Sequence, residues 1–121
     1  MPNKKTLLIG ASENPQRYSN MAIRSLRQHR HEVLAIGNGT GTVADVHFTK
    51  ERPGVRDIDT VTLYLAPARQ KEYYDYILGL QPRRIIFNPG TENPELGQLA
   101  EAKGIKIMEA CTLVLLHTGQ Y

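Results

Sequence analysis

The stretch TLLIGASENPQRYSN, residues 6–20, decides the fold class of this chain. Its first four residues, Thr6–Ile9, form a nearly continuous apolar run, which is typical of a strand buried on both faces of a parallel sheet. Gly10 follows directly and lets the backbone turn sharply. Beyond the loop, Ser19 or Asn20 is expected to cap a helix. A strand, a glycine turn and a helix in this order are the opening unit of a Rossmann-type α/β fold.

Four further runs of the same kind follow the first, with helical patterns between them. They are Val33–Ile36, Thr60–Leu65, Arg84–Phe87 and Ile105–Met108. Val46–Thr49 is a candidate for a short extra strand. The alternation predicts a Rossmann-like doubly wound parallel sheet of about five strands, in the order 3-2-1-4-5, within three α/β/α layers.

The length and composition indicate an ordinary globular protein. The 121 residues fit one domain that spans residues 1–121, and the single cysteine excludes an intrachain disulfide. No apolar run is long enough for a secretory leader or a membrane span, so we expect a cytoplasmic protein. The net charge of +3 favours an anionic partner. This charge does not choose among nucleotides, nucleic acid and acidic proteins, but the scattered basic residues argue against nucleic acid. We expect a small-molecule nucleotide ligand, no nucleic acid and no membrane, while a homo-oligomer or protein partner stays open.

The loop after the first strand is the strongest candidate for a ligand site. Ligands of doubly wound sheets bind beyond the carboxyl ends of the strands, where the strand order reverses, and we predict that point between strands one and four. Gly10, Ala11 and Ser12 allow a phosphate to approach the backbone, and the following helix presents free N–H groups to it. Arg17 adds a forked cation. The alternative is a tight connection with an incidental arginine.

The loops after the other strands supply further candidates. After strand two, Gly37, Asn38 and Gly39 belong to a segment that forms either an anion-binding concavity or a flexible surface loop. No acidic residue follows this strand to hold a ribose, which argues against NAD. The candidates after strands three and four are Leu65, Ala66, Pro67, Asn88, Pro89 and Gly90. The small residues after strand three leave room for a ligand, whereas those after strand four line the cleft or form a turn.

No catalytic constellation is visible in the sequence. Cys111 and His117 are six residues apart, a spacing that does not bring them onto one helix face. Cys111 stands among apolar neighbours, as a structural cysteine does. The histidines lack the spacing of metal ligands. We therefore predict no catalytic residue and no metal site.

The first loop resembles that of the small bacterial CoA-binding domain proteins, which are similar to the N-terminal CoA-binding domain of the succinyl-CoA synthetase α subunit. The matching residues are Ile9–Ser12, Asn14-Pro15 and Arg17–Asn20. The likeness continues through the second strand to the Pro89-Gly90 turn and covers nearly the whole chain. It implies a Rossmann-like fold that binds coenzyme A or an acyl-CoA and has no established catalytic activity of its own.

The resemblance implies roles for the residues of the first loop. Gly10–Ser12 would contact the pyrophosphate of CoA, and Arg17 and Ser19 would close the phosphate site. Asn14 and Tyr18, in the same loop, are further candidate contacts.

The resemblance also implies that the end of strand two holds the adenosine part, beside a wall formed by Leu65–Pro67. Here the chain departs from the family's pattern. The family often shows Val-Asn-Pro-Lys after strand two, whereas this chain has Ile36-Gly37-Asn38-Gly39. A lysine there would naturally meet the 3′-phosphate of CoA, so its loss bears on selectivity for CoA but leaves the nucleotide site in place.

Three hypotheses of function follow. The leading one is non-catalytic binding of CoA or an acyl-CoA through the strand-end loops, with the pyrophosphate at the N-terminus of the first helix. The second is a small nucleotide-using enzyme or enzyme subunit whose partner chain supplies the reactive groups. The third is an NAD(P)-binding regulatory domain, against which the missing acidic residue and the incomplete G-x-G-x-x-G pattern weigh.

Overall fold

The computed structural model describes residues 2–121, and this part of the chain forms one seven-stranded sheet with five α-helices. The strands are β1 Thr6–Ala11, β2 Val33–Gly37, β3 Gly41–Val43, β4 Val46–Thr49, β5 Thr60–Leu63, β6 Arg84–Phe87 and β7 Lys106–Glu109. The helices are α1 Tyr18–Gln28, α2 Pro67–Gln70, α3 Tyr74–Leu80, α4 Pro94–Ala102 and α5 Thr112–His117, with a 3₁₀ turn at Lys71–Tyr73.

The sheet is parallel except at one edge. Its order is β3-β4-β2-β1-β5-β6-β7, and only β3 and β4 pair in antiparallel fashion. Helices α1 and α5 pack on one face, and α3 and α4 pack on the other. The predicted Rossmann-like three-layer α/β/α fold is therefore confirmed.

The predicted strand count and strand order are wrong, because the hairpin formed by β3 and β4 was not counted. The candidate extra strand is β4, and it pairs in parallel with β2 so that Thr49 lies opposite Ile36. It occupies the place beside β2 that we expected for the run at Thr60–Leu65. That run forms β5, on the other side of β1, where Thr62 lies opposite Leu8. The strand order consequently reverses between β1 and β5, and β6 lies one strand farther out.

The central strand β1 is apolar on both faces because both are covered. Leu7 and Ile9 pack towards α3 and α4, and Leu8 packs towards α1, all three with no exposed surface. Burying one such side chain contributes about 1.5–3 kcal/mol relative to leaving it in water. The fixed position of β1 in turn fixes the loop that follows it.

Helix α1 begins two or three residues earlier than the sequence predicts. Its N-cap is Arg17, in an extended conformation, while Ser19 and Asn20 are buried within its first turn. Neither of these two residues therefore caps the helix. The segment that begins at Pro67 contains two short helices, α2 and α3, with the 3₁₀ turn between them.

A buried histidine makes the stability of this fold depend on pH. The Nδ1 of His31 accepts a hydrogen bond from the backbone N–H of Lys4 at 2.9 Å, and its ring packs on Tyr121 with centroids 4.8 Å apart. Burial, and then the neighbouring charges of His29 and Lys4, lower the pKa of His31 below its ordinary 6.5. The unfolded chain therefore takes up this proton first as the pH falls.

We expect the free energy of unfolding to fall by up to about 1.4 kcal/mol per pH unit below about pH 6.5 from this group alone. Urea unfolding between about pH 7 and pH 5 measures the effect, since a histidine of the unfolded chain takes up its proton within that range. His31→Gln should weaken the pH dependence, whereas His117→Gln, which changes an exposed histidine, should retain it. An unchanged slope in His31→Gln would contradict the assignment.

Candidate functional site

A cleft of about 570 Å³ opens at the carboxyl ends of β4, β2, β1 and β5. It includes the point where the strand order reverses, which is where doubly wound sheets hold their ligands. Nine of the residues predicted from the sequence line it, namely Gly10, Ala11, Ser12, Arg17, Tyr18, Ser19, Gly37, Asn38 and Leu65. Its volume lies within the range of about 300–1,000 Å³ that is typical of small-molecule sites.

Gly10 brings the backbones of β1 and β5 into close contact at the floor of the cleft. Its φ of +108° favours glycine, and the pairing of β1 with β2 is irregular between Ile9 and Ala11. A Cβ at this position would lie 2.8 Å from the carbonyl oxygen of Tyr64. The sharp turn expected at Gly10 is thus also a close approach that a side chain would prevent.

The loop after Gly10 is held in shape by its own side chains. The N–H of Asn14 donates to Ser12 Oγ at 3.1 Å, and Asn14 Oδ1 accepts from the N–H of Gln16 at 3.0 Å. From within α1, the buried Asn20 donates through Nδ2 to the carbonyl of Ser12 at 3.0 Å. Asn14 therefore shapes the loop without lining the cleft.

Helix α1 presents its N-terminus to the cleft. Arg17 provides no side-chain acceptor for the first turn, and that turn contains no acidic residue. Tyr18 and Ser19 belong to this turn and line the cleft. The first N–H groups of any α-helix lack partners within the helix. An anion in the cleft would satisfy them, helped by the positive end of the helix dipole.

The end of β2 is packed tightly between its neighbours. A Cβ on the buried Gly37 would lie 2.9 Å from the carbonyl oxygen of Ala11 and would collide with the ring of Phe48. Asn38 is exposed and lines the cleft, whereas Gly39 lies just outside it with open space around its Cα. Close packing with β1 and β4 explains the glycine at position 37.

Several cleft residues were not among the candidates predicted from the sequence. They are Lys50 and Arg52 after β4, Tyr64 after β5, and Arg69, Glu72 and Tyr73 in the segment around α2. The signal for Lys50 was the candidate strand Val46–Thr49, since a strand paired with β2 carries its next residue to the same edge of the sheet.

The charge of the cleft is mainly positive. Among the described residues, four cations line it, namely Arg17, Lys50, Arg52 and Arg69, against one carboxylate, Glu72. Arg52 donates through Nη1 to the carbonyl of Glu72 at 2.9 Å, and its Nη2 lies 3.5 Å from the Glu72 carboxylate. Its guanidinium also stacks 4.2 Å from the ring centroid of Tyr73. Arg52 therefore offsets the carboxylate, and the remaining cations leave the cleft suited to an anion.

Comparison with models of protein families identifies the family of this chain. The model of a family described as "CoA binding domain" matches residues 4–117. The chain belongs to the CoA binding domain family. This membership confirms the resemblance seen in the first loop. No curated protein matches the chain at a significant level.

Solved structures similar to this CoA binding domain agree in fold. An uncharacterized protein with a crystal structure is 43% identical, with full coverage of both chains and a TM-score of 0.96. A hypothetical protein from Pyrococcus horikoshii OT3 is 24% identical over 98% of this chain and 84% of its own, with a TM-score of 0.85. The dinucleotide-forming acetyl-coenzyme A synthetase 1 of Ca. Korarchaeum cryptofilum is 16% identical over 89% of this chain and 26% of its own, with a TM-score of 0.68.

The structure places Asn88, Pro89 and Gly90 outside the cleft of this CoA binding domain. They follow β6, which is separated from β1 by β5. Asn88 is buried and donates through Nδ2 to Thr62 Oγ1 at 2.7 Å, while its Oδ1 accepts from the N–H of Thr112 at 2.9 Å. These contacts join β5, β6 and α5, so Asn88 has a structural role in the sheet.

Two further candidates lie beside the cleft without lining it. Ala66 and Pro67 form the exposed start of α2, next to the lining residue Leu65. The buried Gln70 donates through Nε2 to the carbonyl of Leu65 at 2.9 Å and thereby fixes this wall.

Other groups that could carry chemistry are placed as follows. Cys111 is half-buried and forms the N-cap of α5, rather than being fully buried. Burial raises the pKa of Tyr64 far above its ordinary value, so its hydroxyl stays protonated.

Residues 2–121 contain no group of three His, Cys, Asp or Glu side chains placed to hold a metal ion. Nor does any helix in this part of the chain have the length and apolarity to cross a membrane.

Proposed function

We propose that this CoA binding domain binds coenzyme A, or an acyl-CoA, in the cleft and does not itself catalyse a reaction. The observation that carries the proposal is the cationic cleft at the carboxyl ends of the central strands, in a chain whose family is defined by CoA binding. The same proposal includes a cytoplasmic location and a single domain. It also includes a small-molecule nucleotide as the partner, and neither nucleic acid nor a membrane.

The pyrophosphate of CoA is assigned to the N-terminus of α1. Gly10–Ser12 bring backbone close to this point, the first turn of α1 offers uncapped N–H groups, and Arg17 stands at the N-cap. Backbone donors, a helix dipole and a guanidinium together make a strong phosphate site.

The adenosine part is assigned to the end of β2. Gly37 and Asn38 line the cleft there, with Tyr64 and Leu65 across from them after β5. No carboxylate follows Ile36 to hold two ribose hydroxyls, which favours CoA over NAD.

A binding role without catalysis is supported by the state of the titratable groups in the cleft. The carboxylate of Glu72 is paired with Arg52, and burial keeps the Tyr64 hydroxyl protonated. The Tyr64 hydroxyl is therefore not poised to exchange a proton near neutral pH.

A thermal-shift comparison tests this function. CoA, acetyl-CoA, NAD, NADP, ATP and pantetheine are added at equal concentrations, because a ligand that binds only the folded state raises the melting temperature. We expect the largest increase with CoA or acetyl-CoA, and none with pantetheine, which lacks the nucleotide. A larger increase with NAD would support the NAD(P) hypothesis and would contradict ours. No increase with CoA at millimolar concentration would also contradict it.

A further inference from the structure

Lys50 lies at the edge of the cleft because of the register of β4. Thr49 is opposite Ile36 in the parallel pairing of β4 and β2, so the next residues, Lys50 and Gly37, are neighbours at the same end of the sheet. Both line the cleft. Lys50 is exposed, and within residues 2–121 no carboxylate forms an ion pair with it. Its ammonium is therefore available to an anionic group of a ligand.

The position of Lys50 separates it from the proposed pyrophosphate site. The order of the strands at the cleft is β4, β2, β1. Adjacent strands are about 4.8 Å apart, so the backbones at Lys50 and Gly10 are about 10 Å apart across the sheet. Arg17 belongs to the loop after β1, whereas Lys50 comes directly after β4. The end of β2 lies between them. The cleft thus has two cationic ends.

The backbone that carries Lys50 is held against the first loop. The N–H of Thr42, in β3, donates to Glu13 Oε2 at 3.0 Å. The ring of Phe48, in β4, packs so closely on Gly37 that no Cβ would fit there. These contacts hold the hairpin formed by β3 and β4 against the loop after β1 and against the end of β2.

CoA carries anionic groups at two places, the pyrophosphate and the 3′-phosphate of its adenosine ribose. With the pyrophosphate at α1 and the adenosine at the end of β2, the ribose 3′-phosphate comes to the β4 side. Arg52, the other cation on that side, is already engaged by Glu72 and Tyr73. We propose that Lys50 binds the 3′-phosphate and makes the cleft selective for CoA over nucleotides without this group, an inference that rests on the proposed function.

A comparison of two ligands with two variants tests the role of Lys50. CoA and 3′-dephospho-CoA differ only in the 3′-phosphate, and each is titrated calorimetrically into the parent, Lys50→Met and Lys103→Met. Lys103→Met removes the same charge from an exposed position outside the cleft. We expect Lys50→Met to weaken CoA binding about tenfold, the loss of one charge-assisted contact, and to leave 3′-dephospho-CoA binding unchanged. Lys103→Met should bind both ligands as the parent does.

The outcomes separate this inference from the proposed function. If Lys50→Met weakens both ligands equally, or neither, while the parent binds CoA, then Lys50 does not bind the 3′-phosphate and the CoA site stands. A loss selective for CoA in Arg52→Met, with none in Lys50→Met, would assign the phosphate to Arg52 and overturn the inference. If the parent binds neither ligand, the proposed function fails as well. Melting curves without ligand confirm that each variant is folded.

Discussion

Replacing Gly10 with alanine is expected to lower the free energy of unfolding by about 2–4 kcal/mol and to abolish CoA binding. The backbone at this position has a φ of +108°, which an L-residue adopts only with strain. The new Cβ would also lie 2.8 Å from the carbonyl oxygen and 2.9 Å from the carbonyl carbon of Tyr64. Both are backbone atoms of the neighbouring strand segment and cannot rotate away. Relief requires β1 and the loop after it to move, and that loop carries the proposed phosphate contacts.

Urea unfolding and calorimetric titration with CoA measure the two effects of Gly10→Ala. Gly54→Ala is the matched control, because a Cβ there meets no atom within 4 Å and its φ is not in the left-handed range. We expect the control to change the unfolding free energy by no more than about 0.5 kcal/mol, as surface substitutions usually do. A Gly10→Ala variant with the stability and affinity of the parent would show that the close approach is not required.

Replacing Arg17 with alanine is expected to weaken CoA binding by about ten- to a hundredfold, which corresponds to about 1.5–3 kcal/mol for a hydrogen bond to a charged group. Arg17 stands at the N-cap of α1, lines the cleft and is exposed, so the fold should persist without it. Arg17→Lys should recover only part of the affinity, since an ammonium cannot make the forked contact of a guanidinium.

The control for Arg17 is Arg83→Ala. Arg83 is also exposed, but it precedes β6 and therefore lies at the opposite end of the sheet. Arg83→Ala lowers the net charge by the same amount as Arg17→Ala and should leave the affinity for CoA unchanged. If Arg17→Ala binds CoA as tightly as the parent does, the phosphate site depends on backbone N–H groups alone. If both variants lose affinity equally, the effect is one of overall charge.

The first loop could be predicted from the sequence because its features are local. The apolar run of β1 and the turn at Gly10 follow one another along the chain, and each has its own signal. The helix after them was predicted as well, but its start at Tyr18 was placed too late. The family resemblance was concentrated in the same residues. The structure adds the reason why position 10 is a glycine, which is the close contact with Tyr64. This contact could not be predicted because it requires β5 to lie beside β1.

The rest of the cleft could not be predicted because it depends on the order of the strands. Short strands such as β4 carry a weak pattern, and nothing local shows that β4 pairs with β2. Omitting it moved the expected reversal point to β6, which drew Asn88 and its neighbours into the predicted site. The same omission left out Lys50, although the sequence had shown that the family's lysine after strand two, which would meet the 3′-phosphate, is missing. Arg69 and Glu72 reach the cleft only through the path of the chain after β5.

The most direct test of the account is an amide NMR titration of the ¹⁵N-labelled protein with CoA. Binding as proposed will shift the resonances of Gly10–Ser12, of Tyr18 and Ser19, and of Gly37 and Asn38, because these residues line the cleft at the carboxyl ends of the strands. Amides at the opposite end of the sheet, such as those of Lys5 and Arg83, should not move. Saturable shifts confined to that opposite end, or none at millimolar CoA, would contradict the claim that this cleft is a CoA site.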